Sequence, residues 1–375
     1  MYLDDFAAGI ERIVLRSLPA PGRPLRWALI VNPKAGGFTI RSRWKRHYAI
    51  LKAYGEKAQG NPRREAACPA GVAGNAPGGM LLTQSPDHAN RIVRALLEEV
   101  KRTLAYTQGR PQDMPFYLIL CAGGDGTGLE ALIALCQAEP EVRDHTAILR
   151  LPLGTGNDGA DSWELDGALD LLILPSRIEK ARSLRLSTAQ PGKGPFLAFN
   201  ILSVGLDAFV THMTNKMKGK LPGDSYKLWV DIAALLYDRI YRVGFLDIKA
   251  LDGSAAEPRS LRERVLLMAV GASGRRTYGS HKRILPDDRN VCLVRQMPLF
   301  RKIALKDLFT TGGHVDKPES LLFNAHRLEF QGEYPILAQM DGETVLLRPE
   351  DFPAVIEVSD PIIPTLKPQT PGGRP

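Results

Sequence analysis

The sequence predicts an α/β protein in two parts: a parallel α/β domain first, then a mostly antiparallel β-sandwich-like domain. Three observations predict it. Between residues 25 and about 165, short apolar runs alternate with glycine-rich turns and amphipathic stretches, the rhythm of a parallel sheet covered by helices. Beyond about residue 165, short alternating segments replace that rhythm, as in antiparallel sheets. Over 375 residues, 44% are apolar and 24% charged, ordinary globular material with enough chain for more than one core.

In order along the chain, residues 1–24 read as a short helix and a proline-rich link, Pro19-Ala-Pro21-Gly-Arg-Pro24. Trp27–Val31 is a buried strand stopped by Asn32-Pro33. Residues 80–83 form a second strand. Ser85-Pro86-Asp87 then supplies an N-cap with proline at the first helical position, and Ala89, Ile92, Val93, Leu96, Leu97, Val100 and Leu104 line one helix face. Phe116–Cys121 is a strand, Leu129–Ala138 a helix and Ala147–Leu151 a strand. Gly55–Gly79, without periodicity, reads as a flexible surface insertion. The later strands are Phe196–Ile201, Val243–Leu251, Arg264–Val270, Val291–Gln296 and Arg327–Phe330, with a helical stretch at Tyr226–Tyr241. Pro361–Pro375, with five prolines and two glycines, reads as a flexible tail. The expected division is therefore 1–24 helix and linker, 25–165 α/β domain, 166–360 β-rich domain and 361–375 tail.

No apolar run approaches the length of a membrane span, and Asp4, Asp5 and Glu11 keep the N-terminal stretch from reading as a signal peptide. Four cysteines (Cys68, Cys121, Cys136, Cys292) show no CxxC pair and no zinc spacing, which fits a reduced, cytoplasmic setting. A net charge of +8 favours an anionic partner. No zinc-finger, basic-zipper or RNA-binding signature is present, so no nucleic-acid partner is expected.

The most informative segment is Gly123-Gly-Asp125-Gly-Thr127-Gly128, set between a strand and a helix. Its glycines let backbone approach a ligand, and the helix behind them offers free N–H groups to an anion. A carboxylate there is unfavourable against bare phosphate, so Asp125 points to a Mg²⁺-nucleotide. Asn32-Pro33-Lys34-Ala35-Gly36-Gly37 and Leu153-Gly154-Thr155-Gly156-Asn157-Asp158 have the same placement after other strands. Each alone could be a structural turn; together they mark the edge where open α/β sheets bind ligands. The pattern is neither GxGxxG nor GxxxxGK[ST].

GGDGT at Gly123–Thr127, NPKAGG at Asn32–Gly37 and LPLGTGND at Leu151–Asp158 together resemble the diacylglycerol kinase catalytic domain family, which includes bacterial lipid kinases and sphingosine kinase relatives and shares its Rossmann-like fold with NAD kinases. The resemblance continues through Thr83, Asn200–Ala208 and Met340-Asp341-Gly342-Glu343, spanning roughly residues 27–350. It implies ATP contacts at Asn32, Pro33, Lys34, Ala35, Gly36, Thr83, Gly123, Gly124, Gly126, Thr127, Gly128 and Thr155. Asp125 and Asp158 would organise Mg²⁺, and Glu343 would be the general base for a lipid hydroxyl, a division of labour that phosphoryl transfer requires. The implied activity is an ATP-dependent lipid kinase, acting on diacylglycerol or a sphingoid base at the membrane surface while peripherally associated with it from the cytoplasm. A homodimer is compatible with the sequence.

Two departures stand out. Where the family carries an aspartate in its metal network, this chain reads Leu184-Arg185-Leu186-Ser187. Its structural-metal loop reads Pro286-Asp287-Asp288-Arg289-Asn290, with Asp288 the candidate ligand and Arg289 where glycine is expected. They keep open one rival, a nucleotide-binding regulator with little catalysis; the other, a NAD-kinase-like small-molecule kinase, shares GGDGT, while the GTGND loop and the late Asp341-Gly342-Glu343 argue against it. Lys216-Met-Lys218-Gly-Lys220 reads as a headgroup contact or a solvated basic loop, Arg41, Arg43, Lys45 and Arg46 as help in holding nucleotide or, more simply, the wet face of the first domain's helix, and His281 and His314 as ordinary histidines.

Overall fold

The computed structural model describes residues 2–64, 66–67, 79–107, 114–154, 157, 159–217, 237–253, 257–278 and 282–369. They fall into two compact units, Met1–Ala181 with Pro361–Pro375, and Arg182–Asp360. The first unit runs α1 (Tyr2–Val14), β1 (Leu25–Val31), α2 (Gly36–Thr39), α3 (Arg41–Lys57), β2 (Ala66–Ala67), β3 (Met80–Leu82), α4 (His88–Tyr106), β4 (Phe116–Gly123), α5 (Asp125–Cys136), α6 (Pro140–Asp144), β5 (Thr146–Pro152), α7 (Leu165–Ile173) and β6 (Ser176–Ala181). The second holds β7 (Leu184–Ser187), β8 (Phe196–Ala198), β9 (Ile201–Gly205), α8 (Leu206–Met217), α9 (Tyr237–Ile240), β10 (Phe245–Leu251), β11 (Arg259–Gly271), β12 (Arg276–Tyr278), β13 (Lys282–Leu285), β14 (Val291–Arg295), α10 (Leu299–Lys306), α11 (Leu308–Thr311), β15 (Ser320–Phe323), β16 (Arg327–Gly332), β17 (Ile336–Met340), β18 (Glu343–Leu347) and β19 (Ala354–Val358). The chain then returns to the first unit as β20 (Ile363–Pro368).

The first unit's sheet has the order β2-β1-β4-β5-β20-β6, with β3 also on β1. β1, β4 and β5 pair in parallel, and every residue of β4 is buried. Central parallel strands covered on both faces read as continuous apolar runs, which is why β1, β4 and β5 were legible. On one face, Leu25, Trp27 and Leu29 of β1 and Leu118 and Leu120 of β4 meet α1, α3 and α7 in a single core. The stripe Phe6, Ile10 and Ile13 anchors α1 there, with the Phe6 and Phe38 rings edge to face at 5.1 Å. The α4 stripe expected from sequence packs its helix on α5.

The structure places several features differently. The division between units falls at 181/182, where the sequence rhythm suggested 165/166, because α7 buries Leu165, Leu169 and Leu172 in the first core. Residues 361–375, expected as a flexible tail, contain β20. It lies between β5 and β6 with Ile363 and Leu366 buried. Its prolines misled the reading; Pro364 and Pro368 lack N–H groups, and pairing to β5 is confined to Thr365 opposite Ile148. The helix after residue 85 begins at His88 behind Asp87, whose φ is 62°, rather than at a Ser85 cap. Within Gly55–Gly79, residues 55–57 finish α3 and Ala66-Ala67 pair with β1; residues 65 and 68–78 lie outside the described residues. The expected helix at Tyr226–Tyr241 is described only from Tyr237, as α9.

The second unit is an antiparallel curled sheet of order β18-β17-β9-β11-β10-β16-β19-β7-β8, with β14 and β15 extending from β11. The 13-residue β11 serves both ends: Arg259–Arg264 pair with β10, and Leu267–Gly271 pair with β9. A register irregularity between Val265 and Leu267, where β14 pairs, marks the bend. Past it both faces are buried, Met268 and Val270 in one core, Leu267 and Ala269 in the other with Phe209 of α8. The expected strand Phe196–Ile201 divides into β8 and β9, for reasons visible at Asp341 below.

Candidate active site

In the first unit the chain leaves β1, β3, β4 and β5 at the same end of the parallel sheet, so the loops that follow them are neighbours. The loop after β1 is tied in by Asn32, whose N–H donates to the Ala122 carbonyl (2.9 Å) and whose Nδ2 reaches the Thr127 hydroxyl (3.2 Å). Asn32 Oδ1 accepts the Lys34 N–H, turning the chain so that Gly37 N–H donates to the Leu153 carbonyl. Pro33 and Gly36 are part-exposed, Ala35 is buried, and the Lys34 side chain faces solvent.

Glycine is required where the second and third loops cross. A Cβ on Gly154 would lie 2.5 Å from the Gly124 Cα, and one on Gly123 would lie 2.8 Å from the Thr127 side chain. Gly126 is different: nothing lies within 4 Å, and it is exposed at the start of α5, whose free N–H groups open outward. Thr127 and Gly128 are buried in the first turn.

Asp125 is the first residue of α5. Its Oδ2 accepts the Asn157 N–H and its Oδ1 the Gly159 N–H, both at 3.0 Å. The sequence-predicted ligand carboxylate therefore also holds the third loop against the second. Asn157 sits at φ 61° and closes its own turn by accepting the Gly154 N–H. Beneath them Arg150 forms a bidentate pair with Asp161, whose side chain is fully buried, at 2.9 Å. The Cys121 thiol is buried below the loop, and burial pushes its pKa up to about 12. Thr155, Gly156 and Asp158 lie outside the described residues.

Thr83 continues the line at the end of β3, its N–H donating to the Val31 carbonyl (2.9 Å). The turn after it is held by Glu130 of α5, whose carboxylate accepts the Asp87 N–H (2.7 Å) and the Ala89 N–H (3.0 Å). Glu130 thus caps α4 across 43 residues of sequence. Neither Glu130 nor Asp161 stood out in the sequence; one carboxylate among many carries no local signal of its partner.

In the second unit, Asp341 and Gly342 form the β17–β18 turn at φ 47° and 103°, and Glu343 follows, exposed. The Asp341 carboxylate accepts the N–H groups of Phe199, Asn200 and Ile201, which interrupts the strand between β8 and β9. Behind the turn, Gln339 accepts the Gly342 N–H and donates to Ser203, which donates to Asp207 at 2.6 Å. Asn215 of α8 donates to the Gly342 carbonyl and His212 meets the Thr344 hydroxyl. Glu343 therefore follows a turn held by hydrogen bonds from both sides.

The departures are also visible. Arg185 points outward between buried Leu184 and Leu186 in β7. The Asp288 carboxylate is paired with the Arg275 guanidinium at 2.7 Å, and Arg289 folds back onto Asp287. Asp288 thus already has a cation, and among the described residues no group of three or more His, Cys, Asp or Glu side chains could hold a metal. His314 is a core residue, its Nε2 donating to the Ile284 carbonyl and its ring stacked on Phe309. His281 lies outside the described residues, as does Lys218–Lys220. Of the basic residues on α3, Arg41, Lys45 and Arg46 are exposed and Arg46 pairs with Glu164.

Residues 78–189 match the family model of the diacylglycerol kinase catalytic domain. The span holds the GGDGT and GTGND loops and Thr83, and the resemblance read from the motifs stands. Two solved structures of a provisionally named diacylglycerol kinase from Bacillus anthracis str. Sterne superpose with TM-scores of 0.57 and 0.54, at 17% and 18% identity. Each covers 92% of this chain and 97% of the other. A third, of a diacylglycerol kinase from the same organism, gives 0.50 at 14% identity. At that identity the likeness is one of fold: the parallel α/β unit and the antiparallel unit together.

Proposed function

We propose that the protein is an ATP-dependent lipid kinase that transfers the γ-phosphate to a hydroxyl of a membrane lipid, diacylglycerol (giving phosphatidic acid) or a sphingoid base. The observation that carries this reading is the crossing of the loops after β4 and β5 at Gly124 and Gly154, tied by Asp125, within the span matching the diacylglycerol kinase catalytic domain. Beside that crossing, the N-terminus of α5 offers backbone N–H groups to an anion such as a nucleotide phosphate.

The nucleotide phosphates lie along Gly123–Gly128, with Asn32–Gly36 and Thr83 flanking them. The residues present fit Mg²⁺. Mg²⁺ is commonly held by one or two carboxylates plus substrate phosphates. Each Asp125 oxygen, having accepted one N–H, keeps a further lone pair. Mg²⁺ so held would neutralise charge on the phosphates, with Asp158 the second acid that the family resemblance implies. Glu343 takes the proton from the lipid hydroxyl, its turn held rigid so that the carboxylate can be aimed. The acceptor is reached from the water side: no described helix is long and apolar enough to cross a membrane. The setting is cytoplasmic, with peripheral contact.

The test is transfer of labelled γ-phosphate from ATP with Mg²⁺ to a mixed pool of lipids and NAD, then organic–aqueous partition. Label in the organic phase is expected. It should vanish in both Glu343→Gln and Asp125→Asn, with ATP binding kept in the former. Label on NAD alone, or transfer surviving both substitutions, overturns the reading.

A further inference from the structure

No described helix is long and apolar enough to cross a membrane, so a lipid kinase of this kind calls for a surface that meets the bilayer, and the second unit holds a candidate. Helix α10 turns Lys302 and Leu305 inward and leaves Leu299, Phe300 and Ile303 exposed to 46%, 73% and 54%. Ile303 follows Leu299 by four residues and Phe300 by three, the spacings that place it beside each of them on the helix surface. The neighbouring α9 is fastened to this helix. Asp238 accepts from Gln296 at 2.7 Å and pairs with Lys302 at 2.9 Å, and Tyr237, Val243, Met297 and Leu305 share one core. α9 ends in Ile240, 57% exposed.

The charges around these side chains decide what covers them. The inner cations are already neutralised, Lys302 by Asp238 and Arg301 by Glu319. Two arginines on the α9 side, Arg239 and Arg242, are exposed, with the Arg242 guanidinium over the Tyr334 ring at 4.3 Å. Asp307, at the far end of α10, is exposed as well. Exposed large apolar side chains beside arginines, on a chain of net charge +8, complement an anionic, partly apolar surface.

We infer that the face formed by Leu299, Phe300, Ile303 and Ile240, with Arg239 and Arg242, docks on an anionic lipid bilayer. The apolar side chains enter the headgroup region and the two arginines meet lipid phosphates. The inference draws its purpose from the lipid-kinase reading, and its test separates the two.

The full chain is sedimented with vesicles of phosphatidylcholine alone and of phosphatidylcholine with phosphatidylglycerol. Binding to the anionic vesicles, weakened by salt, is expected. Phe300→Glu with Ile303→Glu should reduce partition by roughly tenfold or more, and Arg239→Glu with Arg242→Glu should remove the preference for anionic lipid. Phosphate transfer to detergent-dispersed diacylglycerol should be unchanged in both variants. A wild-type chain that does not sediment, or an apolar-face variant that binds as well as wild type, overturns the docking face. So does a dimer that the variant converts to monomer with vesicle binding intact, which would make the face a contact with a second copy. Loss of the detergent-phase reaction in the variants also overturns it. Vesicle binding with the predicted losses, but no transfer to lipid by the wild type, supports the docking face and removes the proposed reaction.

Discussion

Gly154 and Gly126 both belong to the candidate nucleotide loops, yet an added methyl group meets backbone at the first and open space at the second. Adding a methyl at Gly154 drives it into the Gly124 backbone at 2.5 Å, where no flexible side chain can yield. Gly154→Ala should cost on the order of 1–3 kcal/mol and abolish nucleotide binding, read by urea unfolding and by calorimetric titration with ATP. Gly126→Ala meets open space within α5 and should leave stability unchanged or raise it by up to about 1 kcal/mol. Asp341 is the corresponding residue in the second unit. It satisfies three backbone N–H groups at once, so Asp341→Ala should destabilise by about 3 kcal/mol, the cost of stranding buried donors. Urea unfolding reads that loss.

At the scale of elements, β20 is the piece whose role differs most from its sequence. Leu366 is fully buried in the first unit's core, and Leu366→Ala should cost about 2–5 kcal/mol in urea unfolding, as other buried leucines do. The strands β1, β4 and β5 and the helix α4 were legible because their burial is regular: two covered faces give continuous apolar runs, and one covered face gives a 3.6-residue stripe. The glycine-rich loops after β4 and β5 were legible because backbones that cross this closely tolerate only glycine. What was illegible has a common cause, dependence on distant partners. Ile-Pro-Thr-Leu-Lys-Pro is a strand only because β5 and β6 stand on either side of it. Glu130 and Asp161 matter only through amides and a guanidinium brought near by the fold.

Over the whole molecule, acidification bears on both units. Burial lowers the pKa of His47 in the first unit and of His314 in the second, so these rings stay neutral where the unfolded chain takes up protons. Their effect is absent above the unfolded value of ~6.5 and becomes a growing penalty as pH falls below it. Glu263 and Glu319 are held below the usual carboxylate range by Arg295 and Arg301, and their contribution is present above ~4.3 and lost as pH falls through their native values. Thermal unfolding should therefore show Tm falling in two stages on acidification, and His314→Gln should flatten part of the first. The return of β20 has a consequence for biosynthesis. Residues 182–360 are contiguous, whereas the sheet begun at residue 25 is completed only by residue 368. Until β20 has been made, β5 lacks its neighbour on one side and β6 lacks its partner. A nascent chain that stalls before that residue presents two unpaired strand edges to chaperones and proteases.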